Sequence, residues 1–292
     1  MARNNQARTG VAEAPTDAVE NETPVEPKAP PKPGGLAYVA PTEFVELPSE
    51  GRYYPPGHPL YKQDTVEIRY MTAKDEDILT SQTLLRKGVA VDRMLENLLI
   101  NQDIDVDDLL AGDKSALILA ARISGYGSSY QTRVTCPGCK IASVYDFDLD
   151  ATSTSPGTVV TEGVEEVEIS PNGTFLVTLP TTEYQVEFRL LTGKDEKYLT
   201  EAANKKSKMN LPDSNSTELL KRLIISVNDV TNSREISDFV DNMPALDSRF
   251  LRACVIGATP NVDMSQEYSC SNCGYESEME VPLTADFFWP DR

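Results

Sequence analysis

The chain has 292 residues, 40% of them hydrophobic, and 46 acidic against 27 basic side chains give it a formal charge of −19. That length builds one large domain or two ordinary ones with real cores; the charge has the wrong sign for a phosphate backbone, and no run approaches the roughly 18 apolar residues of a membrane-spanning helix. Five cysteines, four of them in two Cys-x-x-Cys pairs, and an N-terminus (MARNNQARTG) without a signal-peptide stretch point to a reducing cytoplasm, where such pairs hold metal more often than they form disulfides.

Residues 1–40 are rich in Pro, Glu, Ala and Asn and end in KAPPKPGG, Lys28 to Gly35. They hold too few large apolar side chains to offset ordering entropy, so a flexible tail is predicted, one that links or orders on a partner. Next comes FVELPSEGRYYPPGHPLY, Phe44 to Tyr61, whose four prolines and two glycines argue against helix and predict a rigid, loop-like arm. It carries the chain's one histidine, His58, read as packed or hydrogen-bonded within the loop because no partner base or ligand set lies beside it.

Beyond the arm the chain repeats itself. VEIRYMTAKDEDILT, Val66 to Thr80, matches VEFRLLTGKDEKYLT, Val186 to Thr200, without a gap. In each, an alternating strand pattern leads into a Thr placed to cap a helix, with Asp75 or Asp195 three residues on, so these charges serve a helix N-terminus rather than a catalytic carboxylate pair. ENLLI at Glu96 resembles KRLII at Lys221, and LILAARISGYG, Leu117 to Gly127, resembles FLRACVIGATP, Phe250 to Pro260. The last two predict apolar helices closing at Gly125 and Gly257, with Cys254 buried inside the second. FVELPS at Phe44 echoes FLVTLPT at Phe175. The expectation is an α+β fold from a duplicated unit: a first half over 41–150, a linker over 151–170, and a second half over 171–292. KKSKMNLPDSNS, Lys205 to Ser216, is read as a mobile loop, and the acidic run Asp103 to Asp108 as a solvated face.

Each copy ends in a cysteine pair between two strand-like segments: TRVTCPGCKIASVYDFDL, Thr132 to Leu149, and QEYSCSNCGYESEMEVPL, Gln266 to Leu283. One pair is half a metal site. Two pairs, one from each half, meeting across a pseudo-twofold axis, would complete a tetrahedral four-cysteine centre of Cys136, Cys139, Cys270 and Cys273 holding one structural zinc per chain. A redox pair, a disulfide in each hairpin, or half-sites completed by neighbouring subunits stand as alternatives. A closed four-thiolate site activates no water, and the chain contains no GxxxxGK[ST], GxSxG or strand-linked GxGxxG. No catalytic residues and no small-molecule substrate are expected.

The run LPSEGRYYPPGHPL, Leu47 to Leu60, followed by VEIRYMTAKDEDILT, by GDKSALILAARISGYG at Gly112 to Gly127, and by a Cys-x-x-Cys hairpin, resembles the baseplate-hub protein family of T-even-type contractile-tailed phages. The resemblance covers Phe44 to Leu149. It implies a non-enzymatic protein of the virion tail baseplate, made in the host cytoplasm, acting as hub component or assembly factor and binding other tail proteins. The competing reading is a zinc-ribbon nucleic-acid module, suggested by CPGC and CSNCG and requiring a basic face.

Overall fold

A computed structural model describes residues 39–157, 167–209, 215–282 and 285–288. Val and Ile alternation builds two short antiparallel strands, β1 (Thr42–Glu46) and β2 (Thr65–Arg69), with Val45 opposite Val66 and both turned inward. Helices α1 (Ala73–Thr80), α2 (Gln82–Lys87), α3 (Ala90–Leu98) and α4 (Ala111–Tyr126) follow, then the hairpin of β3 (Ser129–Thr135) and β4 (Ala142–Asp148). Strand β5 (Ser153–Ser155) comes next. A four-stranded antiparallel sheet then runs in the order β6 (Glu168–Ile169), β7 (Phe175–Thr178), β8 (Gln185–Phe188) and β9 (Ile224–Val227). Helices α5 (Gly193–Lys208) and α6 (Asn215–Leu223) lie between β8 and β9. After α7 (Ser233–Asn242) and α8 (Ala245–Ala258), β10 (Asn261–Asp263) pairs with β5, and β11 (Ser265–Ser269) with β12 (Glu276–Glu280) forms the second cysteine hairpin. The architecture is α+β, helices with small antiparallel sheets.

The two strand-to-helix junctions use the same bonds. Thr72 and Thr192 cap α1 and α5 in capping boxes, and each Thr N–H and hydroxyl donates to Oδ2 of Asp75 or Asp195. Six residues before each aspartate, at the strand end, an arginine grips the same carboxylate with two nitrogens: Arg69 at 2.7 and 2.8 Å, Arg189 at 2.5 and 2.9 Å. A second pair of buried aspartates stands at the third residue of α4 and of α8. Asp113 accepts from the Ser49 N–H at 2.9 Å, and Asp247 from the Thr181 N–H at 2.8 Å. Each thereby holds the chain just after β1 or β7. Strand-to-helix packing is thus locked by charge-assisted bonds rather than by apolar contact alone.

The proline-rich arm is irregular and rigid, as expected, and it is packed into the fold; three other details differ from expectation. Leu47, Ser49, Tyr54 and Leu60 are buried, and the Tyr54 hydroxyl donates to Asp113 at 2.7 Å while accepting from the Leu110 N–H. Helix α4 runs past Gly125, which lies against Met71, and ends where Gly127 takes φ +84; Gly257 lies inside α8, capped by Thr259. Lys205 to Lys208 belong to the capped helix α5, while residues 210–214 of the expected loop lie outside the described residues, as do 1–38 of the expected tail and 158–166 of the expected linker. Finally, the acidic run is ion-paired. Lys194 of α5 reaches Asp108 at 2.7 Å, and Lys197 bridges Asp107 and Asp92.

Residues from Ala40 onward belong to one compact unit, and its apolar core is shared by both sequence halves. At their junction Ala111 N–H donates to the Leu191 carbonyl and Gly193 N–H to that of Leu109. A Cβ at 193 would stand 3.2 Å from the Asp107 carbonyl oxygen, a tight approach at the position that matches Ala73 of the first half.

Candidate metal centre

Each cysteine pair sits at the tip of its hairpin in the same knuckle. Cys136 N–H donates to the Ile141 carbonyl at 3.0 Å and Lys140 N–H to that of Cys136 at 2.9 Å. In the other hairpin Cys270 N–H donates to Tyr275 at 2.9 Å and Gly274 N–H to Cys270 at 2.8 Å. Both knuckles need a left-handed residue four places after the first cysteine, supplied by Gly274 at φ +68 and by Lys140 at φ +60. The turn lifts both thiols of a pair to one side.

The hairpins bring the two tips together. The Cys136 and Cys273 sulfurs are 3.7 Å apart, those of Cys139 and Cys270 are 3.9 Å apart, and all four lie within 4.8 Å of one another. A tetrahedral ion with metal–sulfur bonds of about 2.3 Å holds its ligands about 3.8 Å apart, so the cluster has the size that one such ion requires. Both of these contacts pair a sulfur of one hairpin with a sulfur of the other. Cys136 and Cys270 are buried, Cys139 is half-buried and Cys273 exposed.

Electrostatics also favours a cation. Backbone N–H groups of Asn272 and Cys273 point at the Cys270 sulfur and bring that thiol down to about 6. The Ile141 N–H, aided by Asn272, lowers Cys139. Although the Tyr275 N–H favours a thiolate at Cys273, local desolvation of its sulfur and bonds to the other three sulfurs push it up to about 12. Several thiolates in contact repel one another, and a divalent ion removes that conflict. The residues present therefore fit a metal ion.

The surroundings hold the hairpins in place. The Tyr145 ring of β4 packs on Tyr268 of β11 at 5.0 Å, and its hydroxyl donates to the Glu267 carbonyl at 3.0 Å. Gln266 Nε2 donates to the Asp148 carbonyl at 2.6 Å and its Oε1 accepts from the Asp148 N–H at 3.2 Å. Among the described residues the buried Tyr268 hydroxyl has no hydrogen-bond partner, and burial first, then Cys270 and Cys136, push it up to about 12. Tyr275 shields the knuckle of the first hairpin, where a Cβ on Gly138 would meet its ring at 3.0 Å.

Arg122 was not anticipated from sequence. Fully buried on α4, it donates to the carbonyls of Phe287, Gly127 and Ser129 at 2.6, 2.7 and 3.2 Å, fastening the C-terminal segment beside the first hairpin. The signal was present, since it is the one charged residue within LILAARISGYG. His58 is packed as expected, stacked on Tyr54 at 4.4 Å with Nδ1 accepting from the Leu60 N–H. Cys254 is buried in α8.

Among the described residues no helix is long and apolar enough to cross a membrane. No curated protein and no solved structure matches the chain. The family model described as T4 bacteriophage base plate protein matches residues 40–289, which include both cysteine hairpins and both capped junctions. The chain therefore belongs to the T4 bacteriophage base plate protein family, which makes it a structural protein of the phage tail.

Proposed function

We propose that the chain is a non-catalytic protein of the baseplate hub that binds other tail proteins, and that Cys136, Cys139, Cys270 and Cys273 hold one structural zinc ion fixing its two halves in register. The halves, 41–150 and 171–292 about a linker over 151–170, are read as copies of one unit, on the strength of the paired Thr–Asp–Arg junctions and matching knuckles. Zinc is favoured among metals because a closed set of four thiolates at tetrahedral spacing suits it, and no open position remains for a water or substrate. An overall charge of −19 disfavours the nucleic-acid alternative and suits basic protein partners.

The observation that carries the reading is the single cluster of four sulfurs drawn from two hairpins. Its test is the metal content of purified protein, wild type beside a Cys270→Ser, Cys273→Ser double variant. One zinc per chain, lost in the variant together with much of the thermal stability, supports the site. No metal in the wild type sinks it, and one zinc per two chains moves it to an interface between copies.

A further inference from the structure

The two sequence halves differ at one sheet edge. In the second half β7 is covered on its outer side by β6. Ser170 N–H donates to Thr174 at 2.8 Å, Gly173 N–H to Ser170 at 3.0 Å, and Glu168 stands opposite Leu176. In the first half β1 occupies the place of β7, since Val45–Val66 corresponds to Val177–Val186 and Leu47-Pro48-Ser49 to Leu179-Pro180-Thr181. The bonds Tyr70 N–H to Pro41 and Leu47 N–H to Asp64 turn residues 41, 43, 45 and 47 toward β2. The N–H and C=O groups of Thr42, Phe44 and Glu46 therefore face outward, and among the described residues no strand pairs with them.

The position before β1 does not suit the turn that joins β6 to β7. The β6–β7 turn depends on Gly173 at φ +77, and the equivalent residue before β1 is Pro41, whose ring locks φ near −65°. Two side chains on β1 add to the exposed edge. Phe44 is 70% exposed, whereas its counterpart Leu176 is partly covered. Glu43 stands where the second half has the buried Phe175, and one of its carboxylate oxygens is buried without a hydrogen-bond partner among the described residues.

We propose that the outer edge of β1 is a docking site for an extended strand of another tail protein, one that sets an apolar side chain opposite Phe44 and a lysine or arginine opposite Glu43. Pairs directly across an antiparallel edge touch in this way. The added strand would occupy the place β6 takes beside β7, with backbone bonds supplying affinity and the Phe44 and Glu43 positions selecting the partner. Acidic neighbours Glu46 and Glu67, beside Phe44 on the same face, favour a basic strand. This inference rests on the reading of the chain as a protein that docks on other tail proteins.

The test is complementation of a phage deleted for this chain, supplying in trans the wild type, Phe44→Pro or Phe44→Lys. Proline removes one outward N–H and leaves the bonds to β2 in place; lysine keeps the backbone and makes the edge unwelcoming to a second strand. The expected result is loss of rescue by both variants, while the purified variants melt with the wild type. If Phe44→Pro misfolds, Phe44→Lys alone carries the decision. Full rescue by a folded variant overturns the docking edge but leaves the tail role intact, whereas a deletion phage that builds normal tails overturns the tail role itself. Amide exchange on the free chain provides a direct check: the Phe44 N–H exchanges freely and the Leu176 N–H is protected. Protection of Phe44 in the free chain refutes the open edge.

Discussion

Replacing Asp195 with Asn keeps the side chain's shape and removes its charge. The carboxylate, 1% exposed, accepts from Arg189 at 2.5 and 2.9 Å, from Arg222 Nε at 2.5 Å, and from the Thr192 N–H and hydroxyl at 3.1 and 3.0 Å. Breaking a buried pair from one side costs about 3–5 kcal/mol. Arg189 and Arg222 keep 31% and 44% exposure, so water takes up part of their charge, and a loss of about 2–3 kcal/mol is expected. Asp75 has one arginine instead of two, and Asp75→Asn should cost about 1–2 kcal/mol. Burial by itself would raise the Asp195 pKa; the bonds from Arg189, Thr192 and Arg222 overcome it and hold the group below the usual carboxylate range. A depressed folded pKa gives stability that is present above the unfolded value and lost as pH falls through the folded one. The gap between wild type and Asp195→Asn should therefore be full at pH 7 and narrow below about pH 4. Urea unfolding followed by circular dichroism at pH 7, 4 and 3 measures it. A gap that stays constant across this range, or a loss at Asp195 no larger than at Asp75, would refute the reasoning.

Arg122→Met fills the space of the buried guanidinium but orphans three carbonyls, and should cost about 3 kcal/mol, read from the shift in urea midpoint; a change below about 1 kcal/mol would show that water replaces the arginine. Lys140→Gly relieves the left-handed backbone of the first knuckle and should add about 0.5–1 kcal/mol, while Gly274→Ala should lose about as much. Thermal midpoints with metal bound test the pair, and equal signs for the two substitutions would count against matching knuckles.

Much of the centre could be read from the residues because its determinants are local. Two Cys-x-x-Cys pairs, each flanked by alternating strands, announce two knuckles, and a Thr three residues before an Asp announces a helix start. What stayed hidden was non-local. Asp113 and Asp247 look like ordinary first-turn acids, yet their partners lie 64 and 66 residues away in Ser49 and Thr181. The proline-rich arm was legible as irregular backbone; its burial depends on the Tyr54 hydroxyl meeting Asp113, which no periodicity encodes. The acidic run Asp103 to Asp108 read as solvated because the lysines that meet Asp105, Asp107 and Asp108 stand in the other half of the sequence. Gly125 was a reasonable helix stop by composition, but Gly127, two residues on, is the one whose backbone leaves the helix.

The order in which the four cysteines leave the ribosome follows from their positions. Cys136 and Cys139 emerge early, and the first hairpin forms with its nearest neighbours in sequence, while Cys270 and Cys273 follow only after more than a hundred further residues. A contact of that sequence separation closes late in folding. A chain stopped before the second hairpin carries only two of the four sulfurs of the cluster. The four-sulfur cluster therefore exists only once both hairpins have been made.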